Sequence, residues 1–177
     1  MELDVIIKTV AKYWPMFLRG AGVTLLISII GTTIGFIIGL LIGIIRTIPM
    51  PEKGVKKSIL KIINAVLSIY IEVFRGTPMI VQAMVIYYGS KQAFNIDMTP
   101  LFARIFIVSI NTGAYMAEIV RGGIVSIDKG QFEAAYAIGM SHFQTMTNIV
   151  LPQAIRNILP AIGNEFVINI KDTSVLN

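Results

Sequence analysis

The sequence predicts an all-α membrane protein, a bundle of about four transmembrane helices with a cytoplasmic loop. Three observations predict it. Hydrophobic residues make up 55% of the 177 positions and charged residues only 14%, with a mean hydropathy of +0.75, whereas soluble domains carry about 25% charge. The apolar residues gather into long runs, and the Lys and Arg residues cluster beside those runs. The sequence pI of about 9.6 therefore reads as a topology signal, because the cations are not interleaved with aromatics as in a nucleic-acid surface.

Residues 1–20 precede the first run and carry both signs of charge, Glu2 and Asp4 against Lys8, Lys12 and Arg19. They are expected to form an interfacial amphipathic helix. Ala21 to Ile45 holds no charge and is bounded by Arg19 and Arg46, long enough for a tilted span and too long for a signal-peptide core. Within it Gly31, Gly35, Gly39 and Gly43 recur every fourth residue, a ridge along which another helix can approach closely.

A second span is predicted between about Ile62 and Tyr88, bent or broken at Phe74-Arg75-Gly76-Thr77-Pro78 by Gly76 and Pro78. Arg75 stands three residues after Glu72, which predicts an intrahelical pair. A third span runs from Leu101 to Val120, with Arg104 snorkelling near one end. A fourth runs from Ala154 to about Ile170, interrupted by Pro160 and Gly163.

Arg46, Lys53, Lys56, Lys57 and Lys61 crowd the first connection, and Arg121, Lys129 and Arg156 the third, but Lys91 alone serves the second. The positive-inside rule puts the first and third connections in the cytoplasm. The N-terminus is then outside, and its three cations are the weak point of this topology.

Within the third connection, Glu133 to Pro152 read EAAYAIGMSHFQTMTNIVLP, a polar, helix-forming insert. Glu133 to Ile138 are good helix formers with an acid in the first turn, and Gly139 can end the helix in a left-handed cap. Ser141 and Gln144 have the spacing of a capping box that starts a second helix, and Pro152 closes or kinks it. Phe143 and Met146 can face a partner or pack beneath the following helix.

Asn111, Tyr115 and Glu118 share one face of the third span, and Glu165, Asn169 and Asp172 repeat the spacing on the fourth. With Asn164, they are the candidate pathway residues, since polar groups at membrane depth face a bundle interior or an aqueous cavity. Carboxylates suit the amino group of a zwitterion and amides its carboxylate; the alternative is interhelical bonding, with Glu118 pairing Arg121. An enzyme reading finds no phosphate loop, no metal cluster and no nucleophile–base pair with His142 as the single histidine; cysteine is absent. An ion-coupled secondary carrier or channel subunit, and a transport-silent assembly subunit, are the competing readings.

Glu133-Ala134-Ala135, then Gly139, Ile149 and Leu151-Pro152 match every fixed position of a pattern that resembles the cytoplasmic EAA loop of bacterial ABC-importer permeases. Arg75-Gly76-Thr77-Pro78 with Met79-Ile80-Val81-Gln82, Asn164-Glu165-Phe166 and Lys171-Asp172-Thr173-Ser174 resemble the polar amino acid branch, the histidine, glutamine and arginine type. The resemblance runs from about residue 20 onward. It implies a multi-pass subunit of the bacterial inner membrane, with residues 1–177 forming one permease domain and 121–153 its cytoplasmic coupling loop. Family members normally have five spans, so the chain is expected to lack the last one at its C-terminus. The implied partners are a cytoplasmic ATPase dimer, which would hold ATP and Mg so that this chain needs no cofactor, a second permease subunit, an external amino acid binding protein and the bilayer, with no nucleic acid. Glu133, Ala134, Ala135, Gly139, Leu151 and Pro152 would be the ATPase-coupling residues.

Overall fold

The computed structural model describes the backbone of residues 2–176 and the side chains of 5–175. The helices are α1 (Glu2–Ile45), α2 (Val55–Gly76), α3 (Met79–Phe94), α4 (Pro100–Val125), α5 (Lys129–Ala137), α6 (His142–Thr145) and α7 (Leu151–Leu176), with a π-helical turn at Met146–Val150. No strand occurs among the described residues. By length and composition α1 and α4 can each cross a bilayer unaided.

The glycine ridge sets the architecture. A methyl added at Gly31, Gly35, Gly39 or Gly43 would lie under 3.0 Å from Val108, Thr112, Met116 or Val120 respectively. Both series advance by four residues, so α1 and α4 run parallel at near-backbone contact. Gly123 meets Ile158 while Thr112 bonds Asn169; the α4 number falls as the α7 number rises, so α7 is antiparallel. At the centre of this three-helix core Asn169 donates to Thr32 Oγ1 at 2.8 Å and accepts from Thr112 Oγ1 at 3.1 Å. Ser28 and Thr173 add a longer contact at 3.5 Å.

Parallel α1 and α4 require the chain between them to cross once. Ile71 of α2 packs with Ala114 and Ala117, and Met79 and Ala83 of α3 pack with Ala103 and Ile107. The two helices thus climb α4 in succession as one broken crossing. The break lies level with Asn111, about 16 Å along α4 from its first residue and near the middle of a hydrocarbon layer of about 30 Å.

Four expectations are corrected. Residues 2–20 are not a separate helix but continue into the first span as one 44-residue helix with Pro15 inside it. Pro160 and Gly163 do not interrupt α7; a single missing N–H is tolerated in a membrane helix whose neighbours hold it straight. Pro152 does not close the loop's second helix. The helix runs on through the π turn into α7, where the Leu151 N–H bonds Met146 O, so Pro152 falls where the regular ladder has already been replaced by wider bonds. Arg75 does not pair with Glu72: its guanidinium lies 5.4 Å from the Tyr115 ring centre, a cation–π contact.

Candidate functional site

At the break between α2 and α3 the backbone loses its helical partners, and an unsatisfied carbonyl in hydrocarbon costs several kcal/mol. Side chains replace them. Gln82 Nε2 lies 2.9 Å from Phe74 O, Thr77 O and Thr77 Oγ1, donating among the three. Asn111 Nδ2 donates to Phe74 O at 3.2 Å and to Gln82 Oε1 at 3.0 Å. Gln82 thereby stitches the crossing together, and Asn111 fastens it to α4. Sequence reasoning assigned Gln82 no role; the available signal was a lone amide just beyond a Gly-Thr-Pro break in an apolar run.

A cavity of about 400 Å³ opens beside this knot, lined by Thr77, Pro78, Met79 and Ile80 on one side and by Asn111, Tyr115, Glu165, Ile168 and Asp172 on the others. Its two sides carry opposite polarity. The first turn of α3 begins at Met79, so that helix's unsatisfied N–H groups and positive dipole end border the cavity. Glu165 and Asp172, two turns apart on α7, border it with carboxylates. Glu165 is buried at 5% exposure and stands among the charges of Asp172 and Arg75.

The sequence-predicted pathway residues therefore separate. Asn111, Tyr115, Glu165 and Asp172 converge on the cavity. Asn169 points the other way, into the α1–α4–α7 seam, and Asn164 is exposed. Glu118 sits at the far end of α4 in an ion cluster: Arg46 donates to Oε1, and Arg121 donates twice to Oε2, at 3.1 and 2.9 Å. Arg46 also donates to Ser68 Oγ at 3.3 Å, so this arginine, just past the end of α1, links Ser68 within α2 to Glu118 of α4. Gly76 and Pro78 flank the break, Gly76 as the last residue of α2 and Pro78 as the N-cap of α3.

The connection after α4 is built from caps. Asp128 accepts from the Gly130 N–H at 2.7 Å and starts α5 at Lys129, earlier than the sequence reading placed it, so Glu133 falls in the second turn and not the first. Gly139 takes φ +83. Its N–H donates to Tyr136 O and the Met140 N–H to Ala135 O, each at 3.0 Å, the two bonds of a Schellman cap. Ser141 and Gln144 form the predicted capping box, with reciprocal bonds of 2.9 and 3.3 Å.

Burial divides the loop into an anchored face and a free one. Met146 and Val150 join Val120, Ile124, Ile127, Ala154 and Ile158 in one apolar cluster, flanked by Phe132 and Leu151; Ala135 is also buried. Glu133, Ala134, Gly139 and Pro152 are exposed. Ile138 and Phe143 are 77% and 75% exposed, so of the two ambiguous side chains Met146 packs and Phe143 does not.

Residues 54–177 match the family described as "Binding-protein-dependent transport system inner membrane component". The chain is 43% identical over 162 residues to the glutamine transport system permease protein GlnP of Escherichia coli K12, covering 91% of this chain and 69% of that protein. It is 44% identical over 110 residues to the L-cystine transport system permease protein TcyB of Bacillus subtilis, covering 62% of this chain and 47% of that one. Among solved structures, an amino acid ABC transporter crystallised with histidines superposes with a TM-score of 0.78 at 39% identity, covering 95% of this chain and 73% of that chain. The MetNI methionine ABC transporter, at 20% identity and a TM-score of 0.74, shares the fold.

Proposed function

Because the chain belongs to the family of binding-protein-dependent transport inner membrane components, we propose that it is the permease subunit of an ATP-driven importer for polar amino acids. The observation that carries the substrate class is the cavity beside the middle of α4, at Asn111 and Tyr115. A helix N-terminus faces two carboxylates across it. A zwitterion fits that polarity, its carboxylate toward the N–H groups of α3 and its ammonium toward Glu165 and Asp172. The names of the relatives, glutamine and L-cystine permeases, agree with a polar amino acid as cargo.

In this reading the loop couples the chain to a cytoplasmic ATPase. Its anchored face shares a cluster with the ends of α4 and α7, so a push on the free face moves both helices as one body. Glu133, Ala134, Gly139 and Pro152, with Ile138 and Phe143, offer the ATPase a small, partly apolar surface, while Ala135 and Leu151 hold that surface in place. A second permease subunit and an external binding protein complete the assembly, and ATP and Mg belong to the ATPase.

Reconstitution of the chain with its genomically neighbouring ATPase, second subunit and binding protein in liposomes tests the proposal. ATP-dependent uptake of labelled glutamine or another polar amino acid is expected. Undiminished uptake without the ATPase would replace this reading with ion-coupled transport.

A further inference from the structure

One face of α2 is polar along nearly its whole length. At about 100° per residue, Lys57, Lys61, Asn64, Ser68, Glu72 and Arg75 fall within about 80° of one another, and no apolar residue between Val55 and Arg75 shares that sector. Exposed Ile62, Val66, Ile69 and Val73 form a separate stripe centred about 130° away, which suits acyl chains. Ile71, turned toward α4, is buried. The helix thus has a packed side, an apolar side and a polar side.

Depth makes the polar side informative. α2 ends at the break that Asn111 fastens near the middle of α4. Glu72 stands about 6 Å and Ser68 about 12 Å from that end along the axis, within the half-thickness of about 15 Å of a hydrocarbon layer centred there. Glu72 and Arg75 are exposed, Asn64 and Ser68 half-buried. Glu72 has no ion pair among the described residues, and a carboxylate facing acyl chains at that depth is costly. Asn64 Oδ1 is buried yet accepts no hydrogen bond from the protein, a group that water satisfies in native proteins.

The ends of the stripe connect it to the rest of the site. Arg75 lies over Tyr115, which lines the cavity. Lys57 and Lys61 belong to the cytoplasmic end of α2, and Ser68 between them and the break is bonded to Arg46 of the ion cluster. We propose that this face of α2 forms one wall of a water-filled route from the cavity to the cytoplasm, along which a released amino acid passes Arg75, Glu72, Ser68 and Asn64. Cations and a carboxylate occur along the same wall, which offers each end of a zwitterion a partner on the way. The inference rests on the transport reading and adds the exit side of that site, on a helix to which neither the α4 nor the α7 stripe belongs.

The chain has no cysteine, so a single introduced thiol reports on its own position. Asn64→Cys, Ser68→Cys and Glu72→Cys probe the stripe, with Val66→Cys, Ile69→Cys and Val73→Cys as lipid-facing controls. Glu72→Cys removes no ion pair among the described residues, and circular dichroism of each purified variant checks the fold. Each is co-expressed with the genomically neighbouring ATPase and second subunit, and inside-out membrane vesicles are treated with a membrane-impermeant sulfonated methanethiosulfonate, with and without ATP. Because the thiolate is the reacting species, the three stripe positions should react about tenfold or more faster than the controls in at least one of the two conditions. Full modification at position 72 should then lower uptake in liposomes about tenfold. Stripe and control positions that react alike in both conditions would overturn the proposal, as would uptake undiminished by modification at position 72. Thiols at 68 and 72 that resist the reagent but crosslink to a second permease subunit on mild oxidation would overturn it in favour of an interface. Labelling is read without substrate, so a dry stripe sinks this inference while ATP-dependent uptake by the unmodified parent decides the transport reading separately.

Discussion

The two sides of α4 have been built to opposite specifications. Toward α1, side chains are pared to glycine, the polar groups are mutually bonded through Thr32, Thr112 and Asn169, and no room is left. Toward α2 and α3 the crossing is broken, its carbonyls are held by the amides of Gln82 and Asn111, and about 400 Å³ stays open beside two carboxylates. Polar residues occur on both sides at similar depth. What separates a structural polar group from a candidate ligand-binding one is whether its bonds are already made.

The sharpest way to break that contrast is to fill the closed side. Gly39→Leu should destabilise the fold by about 3 kcal/mol or more, because the new side chain meets Met116 and the backbone of Ala117; thermal unfolding in detergent measures it, and a soluble, wild-type-like variant would show that the seam is looser than drawn. On the open side the expectation reverses. Glu165→Gln should lower uptake roughly 10- to 100-fold while the melting temperature holds or rises, since no bond is lost.

Gly139→Val tests the loop at its one left-handed residue. It should cost about 1–2 kcal/mol locally and abolish stimulation of the partner ATPase by substrate, with binding of the amino acid to the permease unchanged. At the ion cluster, Glu118→Gln should lower stability by about 1–3 kcal/mol, since it leaves the half-buried Arg46 and Arg121 without their counter-charge. Smallest in stability is Phe143→Ala, expected within about 0.5 kcal/mol of the parent but with weaker retention of the ATPase on co-purification.

Much of this was legible in the sequence where a local rule decides the outcome. Gly139 needed a positive φ, Ser141 and Gln144 a spacing of three, and the glycine ridge a partner helix; each depends on a few neighbouring residues. The directions of side chains around α4 and α7 depend on which neighbour each helix packs against. Glu165, Asn169 and Asp172 share a spacing, yet Asn169 turns to α1 and α4 while the other two turn to the cavity. Periodicity assigns a stripe, and only the packing of a third helix divides it. Arg75 is a second case: it keeps its helical place one turn after Glu72 in α2, yet its guanidinium lies over Tyr115 of the neighbouring α4.

The π turn at Met146–Val150 has a consequence in the arithmetic of the chain. A π turn holds one residue more than the α-helical turn it replaces, so it acts as an insertion absorbed without a loop. Deleting one residue from Met146–Val150 would let the turn close to ordinary α-helix, so the segments on either side keep nearly their relative bearing, whereas the same deletion within the α-helical part of α7 would rotate all that precedes it by about 100°. The π turn is therefore the place where the count of residues between the loop and α7 can change by one without re-aiming the α5–α6 hairpin, the cost falling on the packed side chains of Met146 and Val150.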